Sequence, residues 1–101
     1  MFLSDRTNRL GPYGRTRPDY MPAIFRHGGY RFFFYSNEGV PREPLHVHVR
    51  RGNAVAKFWM EPVPEIADSH GMAAHELHEL LDMAVEHKTE IVRFWNEHFG
   101  S

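Results

Sequence analysis

The stretch PLHVHVRRGN, residues 44–53, sets two imidazoles one residue apart inside a β-branched run. Residues i and i+2 of an extended strand share a face, so His46 and His48 point the same way. Imidazole titrates unperturbed near neutral pH, so such a pair can take a proton from a substrate and return it. Arg31 and Lys57 carry the cations that would stabilise a charged phosphate during that exchange. The same two imidazoles are also half of a metal site, but a bound metal usually takes three protein ligands, and a neighbouring Lys57 opposes a cation.

Positioning these groups requires strands, and the turn chemistry announces two hairpins. Residues 24–27 and 30–35 flank Gly28-Gly29, a pair that accepts positive φ, and residues 47–51 and 54–59 flank Gly52-Asn53. Between the hairpins, residues 36–44 hold two prolines and a glycine and read as loop. Residues 73–99 contain no Pro or Gly, and Leu77, Leu80, Leu81, Ala84, Ile91, Trp95 and Phe99 recur at helical spacing. Lys88 interrupts that stripe, so one long helix and two short ones divided near His87 both fit. The fold expected is α+β, a small antiparallel sheet of about four strands with one face covered by a C-terminal helix or helix pair.

A two-residue turn at Gly52-Asn53 fixes the register of the second hairpin. It opposes His46 to Trp59, Val47 to Phe58, His48 to Lys57, Val49 to Ala56 and Arg50 to Val55. One face then holds Val47, Val49, Ala56 and Phe58, which is core. The first hairpin opposes Phe25 to Phe32 on its apolar side and Arg26 to Arg31 on the other. If both hairpins join one sheet, the uncovered face collects Arg26, Arg31, Phe33, Tyr35, His46, His48, Arg50, Lys57 and Trp59. So many aromatics and cations on a solvent face are unusual.

Three readings fit that face. It can be a satisfied surface, since cross-strand pairs contribute roughly 0.2 to 1 kcal/mol each. It can bind RNA, with Arg26, Arg50 and the other cations on phosphate and Phe33, Tyr35 and Trp59 stacking on bases at roughly 1 to 3 kcal/mol each. Cleavage would then fall to His48 and His46 without a metal. It can hold a metal through His46 and His48, the least favoured of the three. A non-catalytic module that docks a small acidic partner protein would use the same cations, and a homodimer would bury the same aromatics.

A second group, His75, His78, Glu79 and Asp82, shares one face of the expected helix, but its histidines are too close for the His-Glu-x-x-His zinc signature. No Walker loop, nucleophile elbow or dinucleotide fingerprint occurs, and no cofactor is expected. With no cysteine among 101 residues, neither disulfides nor thiolate sites arise. Neither a secretory leader nor a membrane-length apolar run is visible, so a cytoplasmic protein is expected. The net charge of −1 conceals two unlike halves. Residues 1–60 carry ten Lys and Arg against four Asp and Glu, whereas residues 61–101 carry two against nine. Residues 1–20 follow no helical or alternating period and read as a flexible N-terminal extension to a single domain over 21–101.

Several separated motifs occur in an order that resembles the bacterial domain-of-unknown-function 4160 family. They are MPAIFRHGGYRFFFYSNEG, the PLHVHVRRGN core, AKFWMEPV and the terminal FWNEHFG, spanning Met21 to about Gly100. Leu45 stands where the family often has proline, which bears on local loop shape. The resemblance implies a compact cytoplasmic protein whose gene neighbours that of another small domain, in the manner of toxin–antitoxin modules. His46 and His48 map onto the family signature, and no catalytic role comes with them.

Overall fold

The computed structural model describes residues 23–36 and 43–100. The extension expected over 1–20 and most of the loop expected over 36–44 lie outside the described residues. Five strands form one antiparallel meander, β1 (Phe25–His27), β2 (Tyr30–Phe33), β3 (His46–Arg51), β4 (Ala54–Trp59) and β5 (Glu65–His70), adjacent in the sheet in chain order. Two helices follow, α1 (Ala74–Glu86) and α2 (Lys88–Phe99). The α+β class and the covering helix pair agree with the sequence. The strand count does not, because Glu65–His70 forms a fifth strand outside the two expected hairpins.

Both hairpin registers are those that the turns dictate. Phe25 opposes Phe32 and Arg26 opposes Arg31 across β1 and β2, with Gly28 and Gly29 at φ 54° and 85° supplying the turn. Between β3 and β4, His46 opposes Trp59, His48 opposes Lys57 and Val49 opposes Ala56. The hairpins share one sheet because β2 pairs with β3, setting Arg31 opposite Arg50, Phe32 opposite Val49 and Phe33 opposite His48.

β5 escapes a pattern reading for two reasons. Its exposed side chains leave only Ile66 partly buried, so it joins the sheet by backbone bonds to β4 and not by an apolar stripe. It also carries a register shift opposite Lys57 and Phe58, where Lys57 opposes Asp68 but Phe58 opposes Ile66. The extra residue, Ala67, turns Ile66 toward the core and Asp68 toward the other face, although strict alternation would set both on one side. Gly71 then leads into α1 at φ 80°, and a Cβ there would sit 3.4 Å from Ala54 Cα, so the close pass and the left-handed backbone both favour glycine.

The core lies between the sheet and the helices. Phe32, Phe34, Val47, Val49, Ala56 and Phe58 pack against Leu77, Leu80 and Ala84 of α1 and Ile91 and Trp95 of α2, all buried. Phe34 is ringed by α2, with Phe94, Trp95 and Phe99 centroids 5.8, 5.1 and 5.7 Å away. The helix break falls at His87, whose φ of −102° and ψ of 18° leave the helical region without Pro or Gly. The His87 imidazole stacks on Phe25 at 4.0 Å, and Lys88 pairs with Glu61 at 2.8 Å. These tertiary contacts swing α2 back onto the core, where Ile91 and Trp95 are needed.

The start of α1 is tied to the first hairpin. Glu76 Oε1 accepts the Ala73 N–H at 3.0 Å, while Oε2 accepts the Tyr30 hydroxyl. Arg51 lies with its guanidinium 5.2 Å from the Tyr30 ring centre. The Tyr30 bond and the Ala73 amide favour the carboxylate and hold Glu76 below its ordinary pKa, while the Glu76 bond raises that of Tyr30.

Ala73 offers no side-chain oxygen to α1, so only the Glu76 half of a capping box exists. Because its ψ of 158° is already the extended value of a cap, Ala73→Ser should raise stability by about 0.5 to 2 kcal/mol in denaturant titration. The depressed pKa of Glu76 has a signed consequence. Its contribution is full above the ordinary carboxylate range and is lost as pH falls through the lowered folded value. Thermal melts across the acid range should therefore show a shallower loss for Glu76→Gln than for the unaltered protein; identical acid limbs would remove this linkage.

Candidate functional site

On the sheet face turned from the helices, cross-strand partners line up in rows. Arg26, Arg31 and Arg50 oppose one another across β1, β2 and β3, and the row continues through Val55 to His70. The next row runs Phe33, His48, Lys57, Asp68 across β2 to β5. A third holds His46, Trp59 and Glu65. Successive rows lie about 6.8 Å apart, two residues of strand rise.

The arginine row is an electrostatic anomaly. Directly opposed like charges destabilise a sheet, yet three arginines share one cross-strand row. Arg26 and Arg50 are exposed, Arg50 Nη1 donates to the Gly52 carbonyl at 3.4 Å, and the Arg31 guanidinium lies 4.8 Å from the Phe33 ring centre. Contacts of this kind splay the cations apart but leave their charge on one face, where an anion would be welcome.

The middle row opens onto a cavity of about 210 Å³ lined by Phe33, Tyr35, His48 and Lys57 with Asp68 and Ser69 of β5. The rings form a continuous wall, Tyr35 meeting His48 at 4.6 Å and Phe33 at 5.2 Å, edge-on in both cases. Lys57 Nζ reaches Glu43 Oε1 at 3.1 Å while lying 4.3 Å from the Trp59 ring centre. Asp68 Oδ1 accepts the Ser69 N–H at 2.9 Å.

His46 departs from the expectation of an open face. It is fully buried, with Trp59, Trp95 and His48 rings edge-on at 5.5, 5.5 and 5.1 Å. The cause is α2, whose Trp95 touches both Phe34 on the core side and His46 at the end of β3. Pro44 O, which can only accept, lies 2.9 Å from Nδ1, so Nδ1 carries the proton, and Nε2 lies 3.7 Å from Glu43 Oε1. Phe33 is buried as well, and the His48 Nε2 is shielded from solvent. The expected face therefore grades from exposed arginines to a buried aromatic end.

Every residue assigned to the uncovered face from the sequence thus lies on it, although His46 and Phe33 are not open there. The sequence reading missed Glu43, Asp68 and Ser69. Glu43 stands three positions before His46, close enough to have been noticed. Asp68 and Ser69 reach the cavity only because β5 pairs with β4 through a bulge. Among the described residues, no three His, Asp or Glu gather as a metal set, and His75 and His78 are exposed on α1, away from this face. No described helix is long and apolar enough to cross a membrane.

Fold and site together define a small α+β protein, a five-strand meander backed by a helix pair, with a cationic and aromatic sheet face left outward. The family model described as domain of unknown function (DUF4160) matches residues 29–96, from the first turn through most of α2, and the chain belongs to that family. No curated protein and no solved structure matches it.

The arginine row carries its own test. At low salt, Arg50→Thr should raise stability by about 0.2 to 1 kcal/mol, the scale of a cross-strand like-charge pair. The gain should shrink as sodium chloride shortens the screening length; a loss of stability at every salt concentration would show that the row is not repulsive.

Proposed function

We propose that the protein binds single-stranded RNA through this sheet face, with phosphates along Arg26, Arg31 and Arg50 and a base at the Phe33, Tyr35, His48 cavity. The observation that supports the reading is the three-arginine row one strand step from an aromatic-walled cavity, which pairs a polyanion requirement with a stacking surface. Binding is preferred to hydrolysis as the activity. A metal-independent ribonuclease wants two groups to exchange protons on opposite sides of the phosphate, but His46 is buried and His48 turns Nε2 from solvent. His46 then serves to position His48, and Lys57 faces the base.

In the two-gene, toxin-like setting that the family resemblance implies, RNA capture would be the means of action. A small acidic partner lying on the arginine row would relieve it. The alternative, a module that only docks such a partner, predicts no affinity for RNA.

Fluorescence anisotropy with a labelled single-stranded RNA separates these. Arg31→Ala and Arg50→Ala should each weaken binding several-fold and reduce the slope of log K against log salt by about 0.7, the value for one phosphate contact on a single strand. Absence of binding at low salt would sink the proposal and leave the docking module. RNA cut by the unaltered protein and spared by His48→Ala would restore the ribonuclease.

A further inference from the structure

The cavity has a composition that chooses among ligands. Its cation, Lys57, is already opposed by the Glu43 carboxylate at 3.1 Å, and the Asp68 carboxylate stands beside it in the same cross-strand row. Two carboxylates to one ammonium repel a phosphate, which the arginine row attracts instead. What suits the cavity is a neutral, flat group that offers N–H donors to a carboxylate and an acceptor to an ammonium. At about 210 Å³ the cavity is smaller than the roughly 300 to 1,000 Å³ typical of drug-sized ligand pockets, which suits one base seated at its mouth.

We propose that this cavity reads a guanine base, an inference that rests on the face being the RNA-binding surface. Guanine presents O6, N1–H and N2–H₂ side by side on its pairing edge. Lys57 Nζ donates to O6, with donors to spare beyond the Glu43 contact. Asp68 accepts from N1–H and N2–H₂; Oδ1 has a second lone pair beyond the Ser69 bond, and Oδ2 is the other acceptor. Adenine and cytosine bring a single amino donor to that edge, and uracil a single ring N–H between two carbonyls; each can accept from the ammonium, but none sets a ring N–H beside an amino group, so the carboxylate oxygen pair is filled by guanine alone. The ring lies against the Tyr35 and His48 wall. The arginine row is one side-chain step of about 6.8 Å away, where the phosphate of the same or next nucleotide would fall.

The closing experiment uses four uridine heptamers carrying G, A, C or U at the centre, measured by anisotropy against the full chain and against Asp68→Asn. Asn keeps an oxygen for the Ser69 N–H but replaces one acceptor by a donor, and since Asp68 is exposed on an edge strand, circular dichroism should report an unchanged fold. The unaltered protein should prefer the G heptamer roughly ten-fold, the scale of one bidentate pairing, and Asp68→Asn should bring the G-to-U ratio close to one. Equal affinities for the four heptamers, or a preference for another base, overturn the guanine inference while RNA binding stands. A G preference that survives Asp68→Asn overturns the assignment to Asp68. Failure to bind any heptamer overturns this inference together with the RNA reading.

Discussion

A two-residue turn at Gly52-Asn53 leaves β3 and β4 a single register, and the division of this protein into a core face and a cationic, aromatic face follows from it. A slip of one residue would turn one strand over, carrying Val47 and Val49 or else Ala56 and Phe58 outward and that strand's polar side chains toward the helices. Four buried apolar side chains, Val47, Val49, Ala56 and Phe58, hold that register against the alternative. The chemistry-bearing residues are therefore placed by the apolar ones: His48 is opposite Lys57 because Val49 is opposite Ala56.

The same constraint propagates outward through the sheet. β2 joins with Phe32 on the core side, which leaves Arg31 and Phe33 on the other and aligns Arg31 with both Arg26 and Arg50. At the opposite edge the constraint is relaxed once, at the bulge in β5. There the extra residue lets Ile66 reach the core without pulling Asp68 in with it. Without that irregularity the cavity would lack its exposed carboxylate and Lys57 would dominate its electrostatics.

A graded face results, and the gradient has a mechanical origin. α2 is turned back at His87 by the Phe25 stack and the Lys88–Glu61 pair, and its Trp95 then closes over Phe34 and His46 at one end of the sheet. His46 becomes a wall for its neighbour, fixed by Pro44 and shadowed by Glu43, while His48 stays at the cavity. Two histidines one residue apart in sequence thus occupy different environments, one packed among indoles and one beside a lysine.

By itself the sequence determined what is local or strictly periodic. Gly28-Gly29 and Gly52-Asn53 mark the hairpin turns, alternation sorts the strands of both hairpins into faces, and apolar spacing marks residues 73–99 as helical, with Lys88 interrupting the stripe, because these follow from backbone geometry and burial within a dozen residues. The family, too, was legible in its ordered motifs. Only the tertiary structure decided the fifth strand, since Glu65–His70 has no apolar stripe and gains its shape from β4's unpaired backbone. It also decided that Glu43 and Asp68 belong to the site and that His46 does not open onto it. Each of these depends on which distant segment arrives at a given edge: β5 with its bulge brings Asp68, and α2 with Trp95 buries His46. Burial and cross-strand neighbours are properties of that arrival, which no spacing along the chain records.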